Sequence, residues 1–267
     1  MASMRKISPV DPLRDQLRKL PRPAAYAGTL AVVLAASIVI ALALRHQVTR
    51  PPGQVDLPAF EHLETSAMKA AFFEFLRPVV RHHNERIAEQ RAWLLQAAEK
   101  ESLGWFEERR LRRLAEDYRV VLGDSPREAI ATLKRRVDVV PESLVLIQAA
   151  KESGWGRSRF AREGNVLFGE RCFKAACGIV PDARPADADF EVARFPTVYD
   201  AVDSYLRTLN THPGYLEFRR ARQKLREADE VLSGVLLARH LASFSERGDV
   251  YVEDIVRMIL ENNLEGH

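Results

Sequence analysis

One short run, residues 144–150, constrains this chain more than any other stretch, because all of its residues except Gln148 are apolar. Pro141 and Glu142 precede the run and suit the first turn and the positive end of a helix, while Gly154 predicts where that helix ends. A helix that is apolar on almost every side must be buried on almost every side. The sequence therefore predicts a core built around this helix.

The other periodic segments also predict helices, so the predicted fold class is mainly α. Apolar residues recur at spacings of three and four after residue 71, with a kink expected at Pro78. A second helix is predicted over residues 103–121, and a third is predicted to begin near Pro126. The side chains of the second helix that are expected to turn inward are Trp105, Leu111, Leu114 and Tyr118. The chain has 267 residues, of which 46% are hydrophobic and 29% charged, so it can bury one good-sized core and is not a disordered protein.

A small β lobe with a disulfide is predicted beside the helices. Two short alternating segments, 177–184 and 189–195, are typical of a two-stranded hairpin with a loose loop. Cys172 lies just before the hairpin, and Cys177 is its first residue. If the protein is exported, such a close pair is expected to form a disulfide. A zinc site would need a second cysteine pair or a nearby histidine, and neither is present, so no metal is expected.

An uncharged stretch, residues 24–44, predicts a transmembrane helix, since its helical length of about 30 Å matches the hydrocarbon core of a bilayer. Basic residues dominate the segment before it, and the basic side of a span stays in the cytoplasm. The rest of the chain is therefore expected outside the cytoplasm, attached to the membrane by a single pass. A cleaved signal peptide is the alternative, because Ala41-Leu42-Ala43 resembles a cleavage site.

The predicted domain organisation follows from these segments: a basic cytoplasmic segment at 1–23, the transmembrane helix at 24–44, a linker at 45–67, a helical extension at 68–122 and the main domain at 123–267. The net charge is +3. The basic residues are concentrated in local patches without a nucleic-acid-binding motif, so no nucleic acid is expected as a partner.

Glu152 is the first candidate for a catalytic residue. It lies one turn after Gln148 on the same face of the apolar helix, near the negative end of that helix. Burial and the helix dipole both disfavour the charged carboxylate, so the pKa of Glu152 is expected to be raised, as a general acid requires. The alternative is a structural glutamate that pairs with Lys151 or Arg157.

The run from Gln148 to Phe173, "QAAKESGWGRSRFAREGNVLFGERCF", resembles the signature of the glucosaminidase-domain family of peptidoglycan hydrolases. Within that family it is most similar to the Bax-type membrane-associated proteins of Gram-negative bacteria, over most of the segment after residue 67. The resemblance implies a lysozyme-like α+β fold with a small β lobe across a sugar-binding groove. It also implies peptidoglycan glycan strands as substrate and, together with the predicted span, an inner-membrane anchor with the main domain in the periplasm. No cofactor is expected.

The resemblance implies roles for individual residues as well. The general acid of the family falls on Glu152, and the second acid falls in the hairpin, where Glu191 is preferred to Asp182. Trp155 is either a sugar platform or a core residue, and Phe244 stands where relatives commonly have a tyrosine. The residues expected to bind substrate are Gln148, Ser153, Trp155, Asn165, Phe168, Tyr205 and Tyr251.

Three functions remain open on the sequence. The preferred one is hydrolysis of the N-acetylglucosaminyl β-1,4 bond in peptidoglycan. A lytic transglycosylase is the first alternative, since one acid/base can suffice when a hydroxyl of the sugar attacks. The second is a non-catalytic scaffold that binds the cell wall.

Overall fold

The computed structural model describes residues 32–37, 57–60, 62–123, 126–182, 184–185 and 187–265. The chain divides into two compact units, Met1–Arg50 and Pro51–His267. The predicted basic segment and most of the predicted span at 24–44 lie outside the described residues, of which 32–37 are helical. No helix in the described ranges is both long enough and apolar enough to cross a membrane.

The larger unit is mainly helical. Its helices, numbered from its N-terminal end, are α1 Thr65–Ala98, α2 Trp105–Asp117, α3 Pro126–Arg136, α4 Glu142–Ser153, α5 Arg159–Gly164, α6 Val198–Thr211, α7 Leu216–Glu227, α8 Gly234–Ala238 and α9 Asp249–Glu261. Two single turns of 3-10 helix, Pro213–Tyr215 and Ala242–Phe244, precede α7 and α9 respectively.

Helix α4 is the predicted apolar helix, and it lies at the centre of the larger unit. Its residues from Ser143 to Ala150 are all buried, and it packs against α1 on one side and against α8 and α9 on the other. Gly154 ends it in a left-handed conformation with φ +58°, which favours glycine. Burial of each large aliphatic side chain of α4 stabilises the fold by about 1.5–3 kcal/mol, which explains why this helix anchors the core.

Helix α1 joins the predicted extension to the main domain. Pro78 lies inside α1, and Phe72, Leu76 and Val79 are fully buried in the same hydrophobic core as α4. The remainder of the extension forms a second cluster, in which Leu111 and Leu114 of α2 contact the end of α1 and α3. The segments predicted as extension and domain therefore share one packed unit.

The prediction for Trp105 was wrong. Helix α2 begins at Trp105 rather than at residue 103, and the Trp105 side chain is 64% exposed, beside Phe106 at 80%. The predictions for Leu111, Leu114 and Tyr118 are confirmed, since all three side chains are buried. Trp105 occupies the first turn, where the helix extends beyond the core that its later residues cover.

The β lobe is a three-stranded antiparallel sheet rather than the predicted two-stranded hairpin. Strands β1 Arg171–Cys172, β2 Gly178–Ile179 and β3 Glu191–Ala193 lie in the order β1-β3-β2. A Cβ atom on Gly178 would lie 1.9 Å from the carbonyl oxygen of Val192, so only glycine allows β2 to approach β3 this closely. Cys172 and Cys177 form a disulfide with a Cα–Cα distance of 6.2 Å, which links β1 to the segment just before β2.

Candidate active site

Glu152 lies in the last turn of α4, with its side chain partly open to solvent. Burial of the carboxylate raises its pKa, while a hydrogen bond from Tyr251 and the charge of Lys151 act in the opposite direction. The pKa therefore moves in the direction that the sequence predicts, even though the residue as a whole is more exposed than expected. A raised pKa favours the protonated form of the carboxyl group, as a general acid needs.

The ion pairs expected for a purely structural Glu152 are formed elsewhere. The ammonium group of Lys151 lies 3.0 Å from a carboxylate oxygen of Asp254 on α9. The Nε atom of Arg157 donates to the carbonyl oxygen of Gly154 at 3.2 Å. Both cations therefore have other hydrogen-bond acceptors, and Tyr251 is the side chain that donates to Glu152.

A chain of hydrogen bonds leads from α6 to Glu152. The Tyr205 hydroxyl donates to Oε1 of Gln148, and Nε2 of Gln148 donates to the Tyr251 hydroxyl at 2.9 Å. Tyr251 then donates to the Glu152 carboxylate. Burial raises the pKa of both Tyr205 and Tyr251, so both remain neutral phenols that can donate. These hydrogen bonds, made by Tyr205, Gln148 and Tyr251, orient the Glu152 carboxylate.

These three side chains were predicted to bind substrate, and the structure places them beneath the site. Gln148 is 0% exposed, Tyr205 1% and Tyr251 2%. Side chains this deeply buried offer almost no surface to a sugar in this conformation. Their hydrogen bonds instead support Glu152.

Aromatic rings fill the space around this chain. Phe168 stacks on Tyr205 with ring centroids 3.9 Å apart, and Phe244 stacks on Tyr251 at 5.5 Å. Phe244 also contacts Tyr215 in a tilted arrangement, with ring centroids 6.2 Å apart. The ring that replaces the expected tyrosine therefore packs against the aromatic cluster and brings no hydroxyl group to it.

Trp155, Ser153 and Asn165 each have a structural contact. Trp155 is partly buried, and its ring meets Phe73 of α1 at 5.2 Å, which agrees with the core alternative. Ser153 is buried and accepts the backbone N–H of Gly156 at 2.8 Å. Asn165 has φ +53° and donates to the carbonyl oxygen of Phe195 at 3.1 Å, which fixes the segment before α6.

Both candidates for the second acid are bound to groups of the β lobe and its surroundings. The Glu191 carboxylate accepts the backbone N–H of Gly178 at 2.7 Å and of Ala176 at 3.0 Å, and these hydrogen bonds lower its pKa. Asp182 is 88% exposed and pairs with Arg159 of α5 at 3.0 Å. Glu191 thus holds the turn between the two cysteines, and Asp182 ties the lobe to α5.

A different carboxyl group, Glu170, lies next to the site. Its neighbour Gly169 has φ +67°, and a Cβ atom there would lie 3.9 Å from Oε2 of Glu152. Oε2 of Glu170 accepts the Ser204 hydroxyl at 2.7 Å, while Oε1 is buried and has no hydrogen-bond partner. Burial raises the pKa of Glu170 to about 7. The sequence did not identify this residue as a candidate. Its one distinguishing feature in the sequence is that it directly follows the Asn-x-Leu-Phe-Gly motif.

Metal ligation is not supported by the part of the chain that the structure describes. The one group of three potential ligands found there is Cys172, Cys177 and Glu191. The two cysteines form a disulfide and the glutamate accepts backbone N–H groups, so these atoms are already used.

Comparison with known proteins places this site in a class. The family model for glucosaminidases, described as mannosyl-glycoprotein endo-beta-N-acetylglucosaminidase, matches residues 127–264, more than half of the chain. The chain therefore belongs to the glucosaminidase family, a family of glycosidases. It is similar to Protein bax of Escherichia coli (strain K12), with 33% identity over 195 residues that cover 73% of this chain and 69% of that protein. No solved structure matches the chain significantly. The predicted resemblance is confirmed.

Replacement of Tyr251 by phenylalanine should alter the titration of Glu152. The hydrogen bond from Tyr251 lowers the pKa of Glu152, so its loss raises that pKa and moves the falling limb of the pH–activity profile to higher pH. The buried Nε2 of Gln148 also loses its acceptor, which should lower the free energy of unfolding by about 1–3 kcal/mol. The profile of kcat against pH and chemical denaturation measure the two effects. Tyr199→Phe is the control, since the Tyr199 hydroxyl accepts from Arg86 and is not part of the hydrogen-bond chain to Glu152. If the falling limb of the pH–activity profile stays unshifted in Tyr251→Phe, the proposed hydrogen-bond chain is wrong.

Proposed function

We propose that this protein is a peptidoglycan hydrolase that cleaves the N-acetylglucosaminyl β-1,4 bond of glycan strands, with Glu152 as general acid. The observation that carries the proposal is the Glu152 carboxyl group at the end of the buried helix α4, with a raised pKa and a hydrogen bond from Tyr251. Family membership supports glycosidase chemistry. The helical body with a small sheet agrees with the lysozyme-like fold expected for such an enzyme.

In the proposed reaction, the protonated Glu152 donates its proton to the glycosidic oxygen as the bond from that oxygen to C1 breaks. Tyr251 donates to one carboxylate oxygen, so the proton of the acid is carried by the other. Water then adds to C1, and its proton passes to a second carboxylate. Trp155 and Asn165 remain proposed substrate contacts, because they belong to the two motifs that begin at Glu152 and at Asn165 and are only partly buried. Phe168 is 4% exposed and stacks on Tyr205, so its part in the proposal is to support the site.

We further propose that the protein acts in the periplasm, held at the inner membrane by the apolar stretch at 24–44. The basic residues before that stretch support this orientation. Glycan strands of the cell wall would then lie on the same side of the membrane as the site.

A lytic transglycosylase is the second candidate, and one observation favours it. Glu191 and Asp182, the carboxylates expected to activate water, are both held by other groups. If no second carboxylate acts, Glu152 alone serves a reaction in which a hydroxyl of the sugar attacks C1. A protein that binds glycan strands without cleaving them is the third candidate.

Digestion of purified peptidoglycan followed by mass spectrometry of the fragments separates the three candidates. The hydrolase should leave reducing N-acetylglucosamine ends, each fragment heavier by one water than the corresponding anhydro product. Anhydro ends would establish the transglycosylase instead. Binding without any new fragment would establish the scaffold, and a Glu152→Gln preparation serves as the control for contaminating enzymes.

A further inference from the structure

We propose that Glu170 is the second catalytic carboxyl group of this site, the base that takes a proton from the attacking water. The inference rests on the proposed hydrolase function and extends it to a residue outside the β lobe. Glu170 follows Gly169, and a Cβ atom on Gly169 would lie 3.9 Å from Oε2 of Glu152, so the backbone beside Glu170 borders the Glu152 carboxyl group.

The two glutamates also share an aromatic cluster. Tyr205 lies close enough to Glu152 and Glu170 for the charge of each to raise its pKa. Tyr215, in the 3-10 turn before α7, is likewise affected by the charge of Glu170. The pKa of Glu170 itself is shifted by burial and by the hydrogen bond from Ser204.

The contacts of Glu170 leave one oxygen available for chemistry. Ser204 of α6 donates to Oε2 and fixes the orientation of the carboxyl group. Oε1 has no hydrogen-bond partner in the described part of the chain, although buried polar atoms nearly always have one. Solvent does not reach this oxygen in the present conformation, so the proposal requires that substrate binding opens a path for a water molecule to donate to it. Glu191, by contrast, uses both carboxylate oxygens to hold backbone N–H groups.

The proposed step is balanced without a further reactant. The water oxygen forms a bond to C1 while the bond from C1 to the glycosidic oxygen breaks, and the leaving oxygen takes the proton of Glu152. The water proton passes to Glu170. The site is restored when Glu170 releases this proton and Glu152 regains one from solvent. A base is most effective when its pKa lies near the working pH, and the pKa of about 7 for Glu170 satisfies this condition.

The test compares Glu170→Gln with the wild-type full-length protein in the muropeptide assay. Glutamine retains the size of the side chain and an oxygen that can accept from Ser204, so the fold should remain intact. Turnover should fall by about 10²–10⁴-fold, and the ionisation near pH 7 should disappear from the pH–activity profile. Glu163→Gln is the matched control, because Glu163 is a half-exposed glutamate of α5 paired with Arg159.

A second variant separates catalysis from structural support. Glu170→Ala removes the carboxyl group, and added formate should restore part of its activity if the missing group is a base. A structural role would give no rescue by formate. Wild-type-like turnover of Glu170→Gln with the pH profile unchanged would overturn the inference while leaving the hydrolase in place. Absence of hydrolysis by the wild-type protein would overturn the proposed function itself, and the inference with it.

Discussion

Glu152→Gln is expected to lower the turnover of glycan strands by about 10²–10⁴-fold while the protein remains folded. The amide has the shape of the carboxyl group but cannot deliver a proton to the glycosidic oxygen. Because Tyr251 donates to Glu152, the Oε1 atom of glutamine can accept the same hydrogen bond. Mass spectrometry of the released fragments measures the rate, and circular dichroism checks the fold.

The pH dependence of the free energy of unfolding distinguishes a catalytic role of Glu152 from a structural one. Burial raises the pKa of the folded-state carboxyl group, so its contribution to stability is present at low pH and is lost as the pH rises through the raised pKa. Removal of the ionisable group should therefore leave the variant at least as stable as the wild type at neutral pH. A variant that unfolds would favour the structural alternative, and full activity would remove Glu152 from the mechanism. Glu163→Gln should behave as the wild type in both measurements.

Arg222→Met is expected to lower the free energy of unfolding by about 3–5 kcal/mol, because it removes the donor from several buried oxygens and each such loss costs about 1–3 kcal/mol. Arg222 of α7 is 1% exposed and donates to the carbonyl oxygens of Asp138 and Val139 at 3.0 and 2.9 Å. It also donates to Oδ1 of Asn210 at 2.7 Å. The Asp138 carboxylate is buried as well and lies 3.8 Å from Nε of Arg222.

The position of this network explains the size of the effect. Asp138 and Val139 lie three and two residues before Pro141, the residue that precedes α4, so Arg222 fixes the entrance to the helix that carries Glu152. Methionine fills a similar volume but removes the donor from the buried carbonyl oxygen of Val139 and from Oδ1 of Asn210, while Arg226 still donates to the Asp138 carboxylate. Denaturation by urea measures the loss.

Arg220→Met on the same helix is the matched control. Arg220 is about half exposed and pairs with Glu217 at 2.7 Å, and exposed ion pairs contribute only about 0–1 kcal/mol. Similar small losses in both variants would show that the buried network does not hold the entrance of α4.

The site was only partly predictable. The motif and the helix position identified Glu152, but the expected second acids follow from alternation along a strand, which is a weak guide in strands of two or three residues. The Glu191 carboxylate accepts backbone N–H groups of its own lobe. Its role in catalysis stays a prediction. Glu170 lacks a sequence pattern that would separate it from an exposed glutamate at the start of a strand.

The sequence alone determined the features that depend on local chemistry. The start of α4 after Pro141, its end at Gly154 and its burial follow from residue preferences and from an apolar run that no solvated helix tolerates. The tertiary structure decided which side chains meet. Gln148 joins Tyr205 across 57 residues and Tyr251 across 103 residues, and Ser204 reaches Glu170 across 34. Such contacts arise when whole helices pack, so the orientation of Glu152, the exposure of Trp105 and the burial of Glu170 depend on neighbours that are distant in the chain.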